Sequence, residues 1–221
     1  MNIPMTAEQM LSAKQQAIAP IAACAATGDM ARLDAALNRG LDAGLTISEA
    51  KEILVQLYAY VGFPRSLNAL AELMRVLKVR EQRGVRDAPG REPGHPAPAG
   101  EALLAAGKAN QTRLSGAPVQ GPLFDFAPVI NRFLQTHLFG DIFERDNLDW
   151  QSRELATVGA LSAMPSLESQ LQAHVRISMN VGLTQAQLQQ VADVLAECGD
   201  ANAAGRVREA LDKHRARIDK S

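Results

Sequence analysis

The chain has 221 residues, a formal net charge of −1 and a pI near 6.4, so neither a nucleic-acid partner nor an anionic membrane surface is expected. Aromatic residues make up only 4%, and alanine and leucine carry most of the apolar share, which favours close-packed helices over a β-sandwich. The two cysteines, Cys24 and Cys198, are far apart and form no CxxC or zinc-spaced Cys/His set, which excludes a disulfide scaffold and points to a reducing, cytoplasmic compartment.

The first expected element is a helix through IAPIAACAA (18–26). The run is similar to a signal-peptide core, but no basic region precedes it and it is too short to span a bilayer. A counterpart in the second half makes it a mature helix, with Cys24 as a small core residue. A second helical pattern, MARLDAALNRGLDAG (30–44), ends at a glycine. The segment that follows opens with a capping box, Thr46 and Glu49, and sets Ala50, Ile53, Leu54 and Leu57 on one face. It runs into YAYVGFP (58–64), where Tyr58 and Tyr60 precede an abrupt stop. Gly62 is expected to end one helix in the left-handed conformation and Pro64 to open the next.

Residues 83–100, RGVRDAPGREPGHPAPAG, have no periodic apolar face and read as a linker or mobile loop, with His95 solvated. They divide the chain into a first repeat, 1–82, and a second repeat with its preceding helices, 101–221. Helices are expected over 101–114 and 126–143, the latter opening near Pro128 and striping Val129, Ile130, Phe133, Leu134 and Leu138. His137 follows Phe126, Ile130 and Phe133 on one face, which reads as inward: a satisfied core histidine, or a contact to substrate.

The halves are related. Gly44, Leu45 and Thr46 match Gly182, Leu183 and Thr184, and the second copy has its own capping box, Thr184 with Gln187, and its own stripe, Leu188, Val191, Ala192 and Leu195. No segment reads as a strand, so the fold class is all-α with two tandem helical repeats packed as a pseudo-twofold unit. In ESQLQAHVRISMNVG (168–182), His174 shares a face with Leu167, Leu171 and Ser178, as a core histidine or as a catalytic one. Glu154, in WQSRELATVGALSAM (150–164), sits near a helix start, where it favours the helix dipole or serves an acid–base role. Arg153 and Arg176 are candidate forks for a substrate carboxylate, with an ordinary surface position as the alternative.

The block LTISEAKEILVQLYAYVGFPRSLNAL and the segment SRELATVGAL…QLQAHVRISMNVGLT resemble the carboxymuconolactone decarboxylase family and its AhpD-like alkylhydroperoxidase relatives. The resemblance covers nearly the whole chain outside the linker, as two copies. AhpD-like members carry C-x2-C-x3-H; counted back from His174, the two thiol positions hold Gln170 and Leu167. Thiol–disulfide chemistry is therefore unsupported, while the histidine and the upstream glutamate are retained at His174 and Glu154. Each copy keeps what the other lacks. The first has Tyr58 and Tyr60 but Ala36 at the histidine position; the second has Glu154 and His174 but Cys198 in place of Tyr60 and Asp200 in place of Gly62.

The resemblance thus implies one site per chain, formed where the copies pack, with Glu154 and His174 catalytic and Tyr60, Tyr58, Arg153, Arg176 and His137 around the substrate. The alternative leaves the first copy as a structural cap with core tyrosines. The implied activity is cofactor-free decarboxylation or isomerisation of a small carboxylated lactone or related acid. An AhpD-like peroxidase and a non-catalytic helical assembly module are the alternatives. A homo-oligomer is implied, with no cofactor, metal, nucleic acid or membrane.

Overall fold

The computed structural model describes residues 10–218, so residues 1–9 of the first repeat and 219–221 of the second lie outside it. Among the described residues there is no strand. The first copy comprises α1 (Ala13–Thr27), α2 (Met30–Asp42), α3 (Ile47–Gln56), the single turn α4 (Tyr58–Val61) and α5 (Phe63–Gln82). After residues 83–99 come α6 (Gly100–Ser115), α7 (Pro122–Phe126), α8 (Pro128–Phe133) and a π-helical segment (Leu134–Ile142). The second copy follows as α9 (Trp150–Ala163), α10 (Glu168–Asn180), α11 (Gln185–Glu197) and α12 (Ala201–Ile218).

Local chemistry fixes the matched starts. The Thr46 hydroxyl accepts from the Glu49 amide while the Glu49 carboxylate accepts from the Thr46 amide, and Thr184 and Gln187 repeat the pair at α11. Each box satisfies two of the orphan donors of a helix N-terminus. Asp29 and Asp149 cap α2 and α9 through their side chains.

The most extensive helix–helix contact is between α1 and α9, one from each copy. Both are buried nearly all round: Ile18 through Ala26 on α1, and Ser152 through Ala163 on α9. That explains why IAPIAACAA shows no polar face. It is the inner helix of a tandem unit, and α2, α3 and α5 pack over it as α10, α11 and α12 pack over α9. One continuous core joins the copies, from Leu11 and Ile18 to Val207 and Leu211. Each fully buried leucine or isoleucine in it contributes on the order of 1.5–3 kcal/mol.

Two expectations change. The segment 83–99 is a docked strap. Its Ala88 and Pro89 carbonyls accept from the Ile47 and Ser48 amides at 2.9 Å each, satisfying the α3 N-terminus, and the Arg91 carbonyl accepts from the Ser48 hydroxyl. Arg80 pairs with Asp87 and Asp42, Lys51 with Glu92, and the Gly94 amide donates to Asp146. Without a periodic apolar face, the strap is docked through these polar contacts. The Gly62 turn also differs: φ 79° and ψ 159° place it in the positive-φ extended region, open essentially to glycine, rather than in the left-handed helical one. In the second copy Gly199, φ 85°, makes the turn, and the Asp200 side chain accepts from the Ala203 amide to start α12.

Candidate acid–base site between the two copies

α9 begins at the Asp149 cap and carries Glu154 inward, with no exposed surface. A short turn containing Ser166, at φ 67°, reverses the chain into α10. His174 lies on the face of α10 that holds buried Leu171, Val175 and Ser178. The imidazole Nδ1 meets Glu154 Oε2 at 2.8 Å. With an ionised carboxylate, Nδ1 carries the proton and donates, which leaves Nε2 as the chemically available nitrogen. The His174 side chain is 13% exposed and that of Glu154 is 0% exposed, so the carboxylate sits behind the ring.

The first copy closes over this pair. The Tyr60 ring stands edge-on to the His174 imidazole, 5.6 Å between centroids at 79°. Its hydroxyl is buried with Thr157 as a polar neighbour but makes no hydrogen bond of ordinary length and angle, and the second Glu154 oxygen, Oε1, is buried without one too. Burial, then the Glu154 charge, pushes the Tyr60 phenol well above its ordinary range, so it persists as a protonated donor. At the pseudo-equivalent place in the other copy, Ala36 is buried on α2 and Cys198 follows α11. There Arg32 donates to the Cys198 carbonyl at 2.8 Å, and Arg39 Nη2 lies 3.5 Å from Cys198 Sγ. One end of the pseudo-twofold therefore carries the carboxylate, imidazole and phenol, and the other carries arginines and a thiol. Cys24 is buried, and burial pushes its thiol up to about 11 against the pull of Arg32.

The remaining candidates scatter. Arg153 has no exposed surface, and its guanidinium donates to Glu52, Gln56 and the Arg145 carbonyl at 2.7–3.1 Å. Its fork is thus taken by protein acceptors. Arg176 is half-buried on α10, with no hydrogen bond or ion pair to a described residue. Tyr58 stacks on Phe63 at 4.4 Å and lies 5.4 Å from His137, away from the Glu154–His174 pair in its bonding.

His137 is not the inward core histidine expected. Its side chain is 50% exposed, bonded through Nδ1 to Asp141 Oδ2 at 2.7 Å. Phe126, Ile130 and Phe133, which defined its supposed core face, are themselves exposed. The buried face of the π-helical segment is instead Leu138, Phe139 and Ile142, continued by Phe143.

Sequence reasoning missed the group that ties the copies together beneath the site. Glu52 on α3 is 1% exposed and receives Arg145 and Arg153, with Asn147 at 3.2 Å. Burial raises the Glu52 pKa, but the Arg145 hydrogen bonds and the Arg153 charge outweigh it and hold the carboxyl below the usual range. Its position beside the Ile53–Leu54 stripe is the only signal, and a single carboxylate there reads as a helix-edge residue.

The sequence model of the carboxymuconolactone decarboxylase family matches the chain twice, over residues 5–74 and 128–213, together more than half of its length. The chain belongs to the carboxymuconolactone decarboxylase family. Its family units run from α1 into α5 and from α8 into α12, so the strap, α6 and α7 fall between the two matches. Tyr60 lies in the first of these units, and Glu154 and His174 in the second. Comparison with curated proteins gave no match. None of the described helices is long and apolar enough to cross a membrane.

Proposed function

We propose that this family member is a cofactor-free lyase or isomerase acting on a small carboxylated lactone or related acid. The reading rests on one observation above all: the 2.8 Å hydrogen bond from the inner nitrogen of His174 to a buried carboxylate, Glu154. That bond orients the ring and leaves Nε2 as the nitrogen that exchanges a proton with the substrate. In decarboxylation the carbon–carboxylate bond breaks, carbon dioxide leaves, and the bonding pair passes into the unsaturated lactone. His174 Nε2 then delivers a proton to carbon, and a solvent proton restores the imidazolium. Isomerisation uses the same atoms, with proton removal at one carbon preceding delivery at another. Tyr60, a neutral phenol, donates to an oxygen of the substrate, and Arg176 is the remaining candidate for its carboxylate.

The thiol route is weaker. Cys24 is protonated at neutral pH, and residues 167 and 170 carry no sulfur. The protein acts as a homo-oligomer in the cytoplasm, its exposed Phe63, Leu67 and Met74 covered by a neighbouring subunit. Turnover of a panel of carboxylated butenolides, followed by carbon dioxide release and by loss of ultraviolet absorbance, tests the reading. Turnover by the wild type and its loss in His174→Gln are expected.

A further inference from the structure

Tyr58 and Tyr60 sit two residues apart on α4, so their side chains leave the helix in nearly opposite directions. Tyr60 meets His174. Tyr58 meets a second imidazole, His137, at 5.4 Å between centroids. His137 is held as His174 is: Nδ1 is on a carboxylate oxygen, here Asp141 Oδ2 at 2.7 Å, which leaves Nε2 over. Two constellations of carboxylate, imidazole and tyrosine therefore flank one turn of helix. They differ in access, since the His137 side chain is 50% exposed and that of His174 only 13%.

His137, Asp141 and Tyr58 line a cavity of about 650 Å³, within the ordinary range for small-molecule sites. Val55 and Ile142 supply apolar wall, and the strap supplies Pro93 to Ala97 as one side. Arg145 completes the lining. Its Nε and Nη2 are bonded to Glu52, while Nη1 makes no hydrogen bond to a described residue. Glu52 is shared with Arg153, so the two arginines and one glutamate leave a net positive charge at this edge. Asp141, the acidic group of the lining, has its carboxylate bonded to His137 Nδ1. Phe63, stacked on Tyr58 at 4.4 Å, holds the tyrosine ring as a flat surface. The histidine itself sits in the π-helical segment, an irregularity frequent at functional sites.

We propose that this cavity is a second binding site, for a small planar aromatic carboxylate. The carboxylate pairs with Arg145 Nη1 and His137 Nε2, and the ring packs on Tyr58. Nothing in this assignment depends on catalysis at Glu154 and His174. The strap forms one wall of the site through Pro93 to Ala97.

The test is a titration of the full chain, labelled with nitrogen-15 in its histidines, with benzoate, and with acetate and benzyl alcohol as controls. Saturable movement of the His137 signals at about millimolar benzoate is expected, with acetate and benzyl alcohol each weaker by roughly tenfold or more. Tyr58→Leu should weaken benzoate by about tenfold in the same experiment, and His137→Gln should do so by calorimetry. Movement confined to His174 would assign benzoate to the other site and overturn the proposal. An equal response to acetate, or full benzoate binding in Tyr58→Leu, would overturn it too.

Discussion

Gly159 of α9 lies against Ala19 of α1 so closely that a β-carbon on the glycine would stand 2.4 Å from the Ala19 carbonyl oxygen and 2.7 Å from its α-carbon. Both atoms are backbone, so the only relief is separation of the two central helices. Gly159→Ala should therefore destabilise the fold by about 1–3 kcal/mol or more, measured by urea unfolding. Gly205→Ala on α12 is the control, because nothing lies within 4 Å of its β-carbon position. There the helix gains up to about 1 kcal/mol. Equal effects at the two glycines would contradict the packing described.

The Glu52 hub gives the stability its acid limit. A carboxyl held below its ordinary pKa stabilises the fold fully above that ordinary value, about 4.3 for glutamate, and loses the contribution as pH falls through the lowered one. The unfolding free energy should therefore be flat through this term from neutrality down to that value and decline below it. Glu52→Gln should flatten the decline. It should also cost on the order of 3–5 kcal/mol at neutral pH, because Arg153 has no exposed surface and loses its charge partner. Chemical denaturation across the acid range reads both effects.

Tyr60→Phe separates the composite site from a structural cap. The hydroxyl is buried without a hydrogen bond of ordinary length and angle, so its removal should leave stability within about 1 kcal/mol of wild type. Activity should fall by about tenfold or more if the phenol serves the substrate. Steady-state kinetics beside thermal unfolding distinguish the cases. Unchanged kinetics would make the first copy scaffold only.

The proposed assembly rests on α5, where Phe63, Leu67 and Met74 are 59–70% exposed along one helix side. Light scattering should give a mass at least twice 23.7 kDa, and Leu67→Lys with Met74→Lys should lower it. A monomer in the wild type would contradict this.

The sequence made the repeated turn-and-helix legible because its determinants are local: Thr46 and Glu49 touch each other, as do Thr184 and Gln187. The His174–Glu154 pairing was legible through the family resemblance and the short connection between their helices. What stayed hidden depends on distant partners. Glu52 meets arginines about a hundred residues later, and nothing local marks that. The strap is held by carbonyl acceptors that composition cannot show. His137 was misplaced because 126–143 was read as one continuous helix: α7 ends at Phe126, α8 covers Pro128–Phe133 and a π-helical segment follows, so Phe126, Ile130 and Phe133 form no common core face with His137 and are exposed.

The most direct measurement of the central claim is the rate of His174→Gln on a carboxylated butenolide that the wild type turns over, with Cys24→Ser/Cys198→Ser assayed beside it. Loss of the imidazole donor should cost on the order of 100-fold or more in kcat with an unchanged thermal midpoint, while the doubly substituted thiol variant stays near wild type. A His174→Gln enzyme as fast as wild type, or a folded thiol variant that has lost the activity, would contradict the assignment of the chemistry to Glu154 and His174.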